Sequence, residues 1–64
     1  MKLKEIRLRA GLTQEQLAEL MNTEQSYISR WETGRNEPGL DIVRQLAAVL
    51  HCTTDELLGV EAAG

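Results

Sequence analysis

Residues 12–38 read LTQEQLAELMNTEQSYISRWETGRNEP, and this stretch decides the fold. Thr13 followed three residues later by Gln16 is a capping-box pair, in which a hydroxyl and an amide satisfy free backbone N–H groups at a helix start. The spacing predicts a helix opening at Thr13. Leu17, Ala18, Leu20 and Met21 then make its apolar stripe, while Glu15 and Glu19 face water. Asn22 follows, one of the few residues with a side chain that tolerates left-handed backbone, so a sharp turn is expected there. A second helix is predicted over roughly Glu24 to Thr33, closed by Gly34 as a left-handed stop. The stretch therefore reads as two short helices joined by a tight turn.

On the second helix, at about 100° per residue, Ile28 and Trp31 share one side and Gln25, Ser26, Ser29 and Arg30 the other. Trp31 is assigned to the core with Ile28, since its ring N–H needs only one partner. The outward set has a particular chemistry. Gln pairs bidentately with adenine, Arg with guanine and Ser with either, so the stripe carries groups suited to base edges in a major groove. By residue type alone, a plain solvated face is the commoner account, since most polar helix faces are only wet. Tyr27 and Trp31 are the only aromatic residues and Phe is absent, which gives no platform for stacking single-stranded bases.

Read together, T-Q-E-Q-L-A (13–18) and S-Y-I-S-R-W-E-T-G-R-N-E-P (26–38) resemble the Cro and lambda-repressor-like (XRE-type) helix-turn-helix family of transcription regulators. The similarity runs from about Leu3 to Leu58 without insertions. It implies an all-α fold, a compact five-helix lambda-repressor-like bundle. The third helix would enter the major groove of a double-stranded DNA operator and the second would lie across the phosphate backbone. Carried over by position, the base contacts fall on Gln25, Ser26 and Arg30, with Ser29 beside them. Tyr27 would flank the backbone. Gln14, at the start of the second helix, would meet a phosphate, where its amide and the helix N-terminus both suit an anion. Thr33, Arg35 and Asn36 match further backbone contacts, with a solvated loop the alternative for Arg35 and Asn36. Arg7 and Glu32 match an ion pair tying the first helix to the end of the recognition helix. Such a pair is either partly buried, where loss of one partner costs about 3–5 kcal/mol, or superficial and worth under about 1 kcal/mol.

The remaining helices follow from spacing. Leu3, Ile6 and Ala10 make the apolar face of a first helix ending at Gly11, and Leu12 links it to the next. Beyond Glu37-Pro38-Gly39, where Pro blocks a continuing helix, Leu40, Val43, Leu46, Ala47 and Leu50 trace the inward stripe of a fourth. Gly39 stands where the family often has Ser, so a weaker cap is expected. His51 stands where relatives often have Gly and is expected to be left-handed. Thr53 and Glu56 repeat the capping-box pattern, which predicts a fifth helix to about Gly59, with Leu57 or Leu58 closing the core.

Sixty-four residues make one domain, expected as an ordered core at about 2–59 with a short tail at 60–64, because a chain this short buries only about 60% of its unfolded surface. The net charge of −3 and pI near 5.0 argue against broad attraction to phosphates. They favour a rival reading: a protein-interaction module, such as an antitoxin or accessory subunit, built on the same fold. Lys2, Lys4, Arg7 and Arg9 on the first helix, with Arg30 and Arg35, leave room for a local positive face, since Asp55, Glu56 and Glu61 lie towards the other end of the chain. Cys52 is the single cysteine, which rules out an internal disulfide and fits a reducing compartment and a packing role. With no other Cys or His, His51 beside Cys52 makes no metal site. No cofactor motif or catalytic set is present, so an enzyme is not expected. Apolar runs fall far short of the roughly 20 residues of a membrane span and no signal peptide is visible, which predicts a soluble cytoplasmic protein. One reading helix covers few base pairs, so a homodimer on half-sites roughly 34 Å apart is expected. Its contact would involve whichever of Leu58 and Val60 lies outside the core.

Overall fold

Local chemistry at the helix ends sets the element order. The computed structural model describes residues 1–59, which form α1 (Leu3–Arg9), α2 (Gln14–Leu20), α3 (Gln25–Thr33), α4 (Leu40–Val49) and α5 (Thr54–Leu58). Val60 and the rest of the expected tail at 60–64 lie outside the described residues. At the start of α2 the Gln16 N–H donates to Thr13 Oγ1 at 3.0 Å, and the Thr13 N–H donates to Gln16 Oε1 at 2.9 Å. Both halves of the capping box are formed. After α2 the chain reverses through Asn22, at φ 55°, and the Thr23 N–H closes the turn on the Ala18 carbonyl at 2.9 Å. Glu24 is the cap of α3 and not its first residue, so the helix begins one position later than the spacing predicts. Gly34 ends it at φ 79°, a left-handed backbone that favours residues without a Cβ.

The second Thr–Glu pair forms only half of its box. Thr53 Oγ1 accepts from the Glu56 N–H at 3.0 Å, but the Glu56 carboxylate is engaged by the Thr53 hydroxyl at 3.3 Å and not by the Thr53 N–H. Gly39 caps α4 with no side-chain hydrogen bond, and His51 is left-handed at φ 55°.

One apolar core joins the five helices. Leu3, Leu17, Ile28, Leu46 and Leu57 are fully buried, with Ile6, Ala18, Val43, Ala47 and Leu50 around them. Leu57 closes the core and Leu58 stays outside at 44% exposure, which resolves that alternative. The start of the chain is tied to α5 by the Lys2 N–H, which donates to the Leu57 carbonyl at 2.8 Å.

Three residues expected to face inward do not. Leu20 and Leu40 are exposed at 57% and 59%, and Ala10 is exposed as well. The buried arc of α2 runs from Leu17 through Met21 to Ala18, and Leu20 falls about 110° from its centre. Leu40, the first residue of α4, sits about 70° from the centre of its stripe. Ala10 lies past the end of α1, where Arg7 takes the third inward place beside Leu3 and Ile6. Trp31 is a fourth departure: it packs against the core but is only half-buried.

Candidate nucleic-acid interface

Gln25, Ser26 and Arg30 on α3 are exposed, and Ser29 is half-buried. Ile28, fully buried, seats the helix from beneath. Tyr27 is 42% exposed, and the Arg30 guanidinium carbon lies over its ring at 5.9 Å from the centroid. One turn further, the Tyr27 and Trp31 rings stand 6.3 Å apart at 39°. These contacts follow from three- and four-residue spacing on one helix face. They steady the long Arg30 side chain by about 0.5–1 kcal/mol, the usual size of an exposed cation–π contact. Trp31 is thus shared between the core and the aromatic step that supports Arg30.

The rest of the inward face of α3 is polar. Arg7 Nε donates to Glu32 Oε2 at 2.6 Å and Arg7 Nη2 to Glu32 Oε1 at 3.3 Å, a two-pronged pair with side-chain exposures of only 8% and 4%. Of the two forms open to these residues, the structure has the buried one. Arg7 Nη1 also donates to the Leu12 carbonyl at 2.8 Å, which pins the link between α1 and α2. Gln14 Nε2 donates to Glu32 Oε1 at 3.0 Å, and Gln25 Nε2 donates to Gln14 Oε1 at 3.2 Å. No buried side-chain nitrogen or oxygen among the described residues lacks a partner. Buried charges persist only when paired and hydrogen-bonded in this way.

Two features of this network are absent from the sequence reading. Gln14, read there as a separate phosphate contact, is joined to both the ion pair and Gln25. Arg7, counted there towards a positive face, is neutralised by Glu32 and adds no free charge to the surface. A signal for the first was available: Gln25 and Glu32 are seven residues apart, about two helical turns, so they rise on the same side of α3. Their link through Gln14 spans separate elements and has no such signal.

Beyond α3, Thr33, Arg35 and Asn36 are exposed. The Thr33 hydroxyl donates back to the Ser29 carbonyl at 3.0 Å, and the Arg35 N–H donates to the Arg30 carbonyl at 3.0 Å, so the loop folds against the helix end. Arg35 and Arg30 are the cations nearest this face in sequence. Lys2 and Arg9 instead line a cleft of about 250 Å³ between α1 and α5 with Glu5, Asp55 and Glu56. Cys52 is half-buried, and burial pushes its thiol pKa up, with Glu56 adding to the shift and Arg9 opposing it. A thiol held protonated is a poor nucleophile. Among the described residues no helix is long and apolar enough to cross a membrane.

Comparison with known proteins bears on this arrangement directly. Residues 3–57 match the family described as Helix-turn-helix. The HTH-type transcriptional activator BcrR of Enterococcus faecalis is 38% identical over 60 residues, 94% of this chain and 29% of that protein. The HTH-type transcriptional regulator ImmR of Bacillus subtilis (strain 168) is 36% identical over 58 residues, 91% of this chain and 46% of that protein. The chain spans less than half the length of these curated relatives. With five helices, a capped α2, a left-handed turn at Asn22 and a family match over nearly its whole length, the chain belongs to the Cro/lambda-repressor-like (XRE-type) helix-turn-helix family of DNA-binding transcription regulators.

Proposed function

We propose that this chain is a sequence-specific double-stranded DNA-binding domain that regulates transcription by occupying an operator, with α3 in the major groove and α2 across the phosphate backbone. The observation that carries the reading is the exposed polar ridge of α3 seated on Ile28 and braced by the Arg7–Glu32 pair. Gln25, Ser26, Ser29 and Arg30 contact bases. Gln14, Tyr27, Thr33, Arg35 and Asn36 contact the backbone. The family is not an enzyme class, and no catalytic role is assigned.

Occupancy implies repression where the operator overlaps a promoter. One of the two relatives above is named an activator, so a reporter with the selected operator placed within the promoter and upstream of it separates the two outcomes. Repression is expected in the first arrangement. The protein acts in the cytoplasm as a homodimer, with exposed Leu58 and its neighbours Met1 and Pro38 at the contact and two reading helices on half-sites roughly 34 Å apart. Val60, the other candidate contact, lies outside the described residues. Sedimentation at micromolar concentration with and without operator tests this, and a monomer in both conditions removes the dimer.

The net charge of −3 and the exposed Leu8 and Leu20, each at 57%, favour a second reading, a protein-interaction module such as an antitoxin or accessory subunit. An electrophoretic shift series with wild type, Gln25→Ala and Arg30→Ala distinguishes them. DNA reading predicts a wild-type complex that both substitutions weaken, and the module alone forms no complex.

A further inference from the structure

We infer that Leu8, Leu12 and Leu20 form a docking strip for an amphipathic helix of another protein, one that carries lysine or arginine beside its apolar stripe. The inference rests on the protein-interaction reading above, supplies the partner's chemistry, and is independent of DNA binding by α3.

Two leucines have no use inside the domain. Leu8 and Leu20 are each 57% exposed, and neither belongs to the core or to the polar ridge of α3. Leu12, half-buried and packed against the core, connects them. It lines a shallow hollow of about 430 Å³ with Leu20, Gln16 and Glu19, and a second of about 380 Å³ whose lining includes Leu8 and Glu15. Because Leu12 lines both, the three leucines make one strip along α2. That helix has seven residues, about 10 Å at 1.5 Å per residue. Two turns of a second helix have the same length, and apolar anchors at i, i+3 or i+4 and i+7 are the usual way for a helix to fill such a groove.

The charge of the rim selects the occupant. Glu19 lines one hollow and Glu15 the other, and the only cation lining either is Arg7, which Glu32 already neutralises. Glu15 and Glu19 stand four residues apart on α2, a like-charge spacing that destabilises a helix. A lysine or arginine set between them relieves that repulsion while its apolar neighbours cover the leucines. A second copy of this chain fits badly, because self-complementary docking sets the same carboxylates against each other. An anionic lipid surface is disfavoured for the same reason, since helices that lie on membranes carry cations on their polar face. Residues 60–64 carry Glu61 and no cation, so they do not match the rim either.

The test uses a displayed library of randomised helical peptides, selected on the wild-type chain and counter-selected on the double variant Leu8→Ser with Leu20→Ser. Both leucines are exposed, so that variant is expected to melt at the wild-type temperature. Recovered peptides are expected to have apolar residues at helical spacing with lysine or arginine beside them. Their affinity, read by fluorescence anisotropy, should fall about tenfold on Leu20→Ser, the scale of one lost anchor. Glu15→Gln with Glu19→Gln, which keeps every leucine, should weaken them to a similar extent. Peptides that need the leucines but show no excess of lysine or arginine overturn the inference and leave the protein-interaction reading standing. Absence of any leucine-dependent peptide overturns both. Sedimentation in which the wild-type chain self-associates and Leu20→Ser restores the monomer gives the strip to a second copy and also overturns the inference. Operator affinity, measured alongside by electrophoretic shift, reports on DNA binding separately.

Discussion

The first three helices add directed side-chain bonds to the apolar core that they share with the last two, which have burial alone. Between Arg7 and Thr33, side chains connect elements through directed bonds: Arg7 to Glu32 and to the Leu12 carbonyl, Gln14 to Glu32, Gln25 to Gln14. In α4 and α5 the only side-chain hydrogen bonds among the described residues are local ones between Thr53 and Glu56. That half is fixed by burial of Val43, Leu46, Ala47, Leu50 and Leu57. Apolar contact has magnitude but little direction, and it suffices where a helix need only close a core. Hydrogen bonds set angle as well as distance, and they gather where side chains must be aimed outward from α3. The contrast is of material as well as place, and it can be tested.

The largest expected effect is in the directed half. Glu32→Ala strands the Arg7 charge in a buried site and is expected to cost about 3–5 kcal/mol. That is a large share of a stability on the order of 3–10 kcal/mol for a domain of this size. The double substitution Arg7→Met with Glu32→Leu should recover most of it, because no charge is then left without a partner. Urea denaturation of wild type, Arg7→Met, Glu32→Leu and the double variant gives the coupling, and a value near zero removes the distinction between the halves. Next comes the apolar half, where Leu46→Ala should cost about 2–5 kcal/mol through lost burial and a cavity. Leu46→Met should cost under about 1.5 kcal/mol in the same assay, since a volume-conserving change respects a force without direction; equal losses for both would count against that account.

Smaller effects compare the two Thr caps. Thr13→Ala removes the hydroxyl that accepts from the Gln16 N–H but keeps the Thr13 backbone N–H that donates to Gln16 Oε1, and it is expected to lower stability by about 1 kcal/mol. Thr53→Ala removes a hydroxyl that both accepts from the Glu56 N–H and donates to the Glu56 carboxylate, so it should cost at least as much, about 1 kcal/mol, and a clearly smaller shift of the urea midpoint for Thr53 would reverse the ranking. The smallest change is a gain. Gly39 caps α4 at φ −65° and ψ 167°, a backbone open to any residue, and a Cβ there meets nothing within 4 Å. Gly39→Ser should therefore raise stability by about 0.5 kcal/mol, by adding a cap and restricting the unfolded chain, and the melting temperature should rise with it.

Legibility divides along a different line from stability. Thr13 with Gln16, Asn22 and Gly34 mark helix ends through contacts within a few residues, and each is readable because its chemistry is local, whereas the left-handed His51 is implied only by the family resemblance. The stripes of α1, α2 and α4 were readable in their centres and misread at their margins, at Ala10, Leu20 and Leu40. Periodicity gives the direction of a side chain but not how far the neighbouring helix extends to cover it. Among the interface residues, the spacing alone put Gln25, Ser26 and Arg30 on one outward face. The pairing of Arg7 with Glu32 came from resemblance to a family and from no pattern in the residues themselves.

By itself, then, the sequence determined the five helices, their turns and the side of α3 that stays in water, because short-range hydrogen bonding and helical period are written into neighbouring residues. Only the tertiary structure decided that Leu57 and not Leu58 closes the core, that Trp31 is half-covered, and that Gln14 joins Glu32 to Gln25. Those outcomes depend on groups brought together across 11 to 18 positions of chain or from packed helices, where geometry settles which donor meets which acceptor.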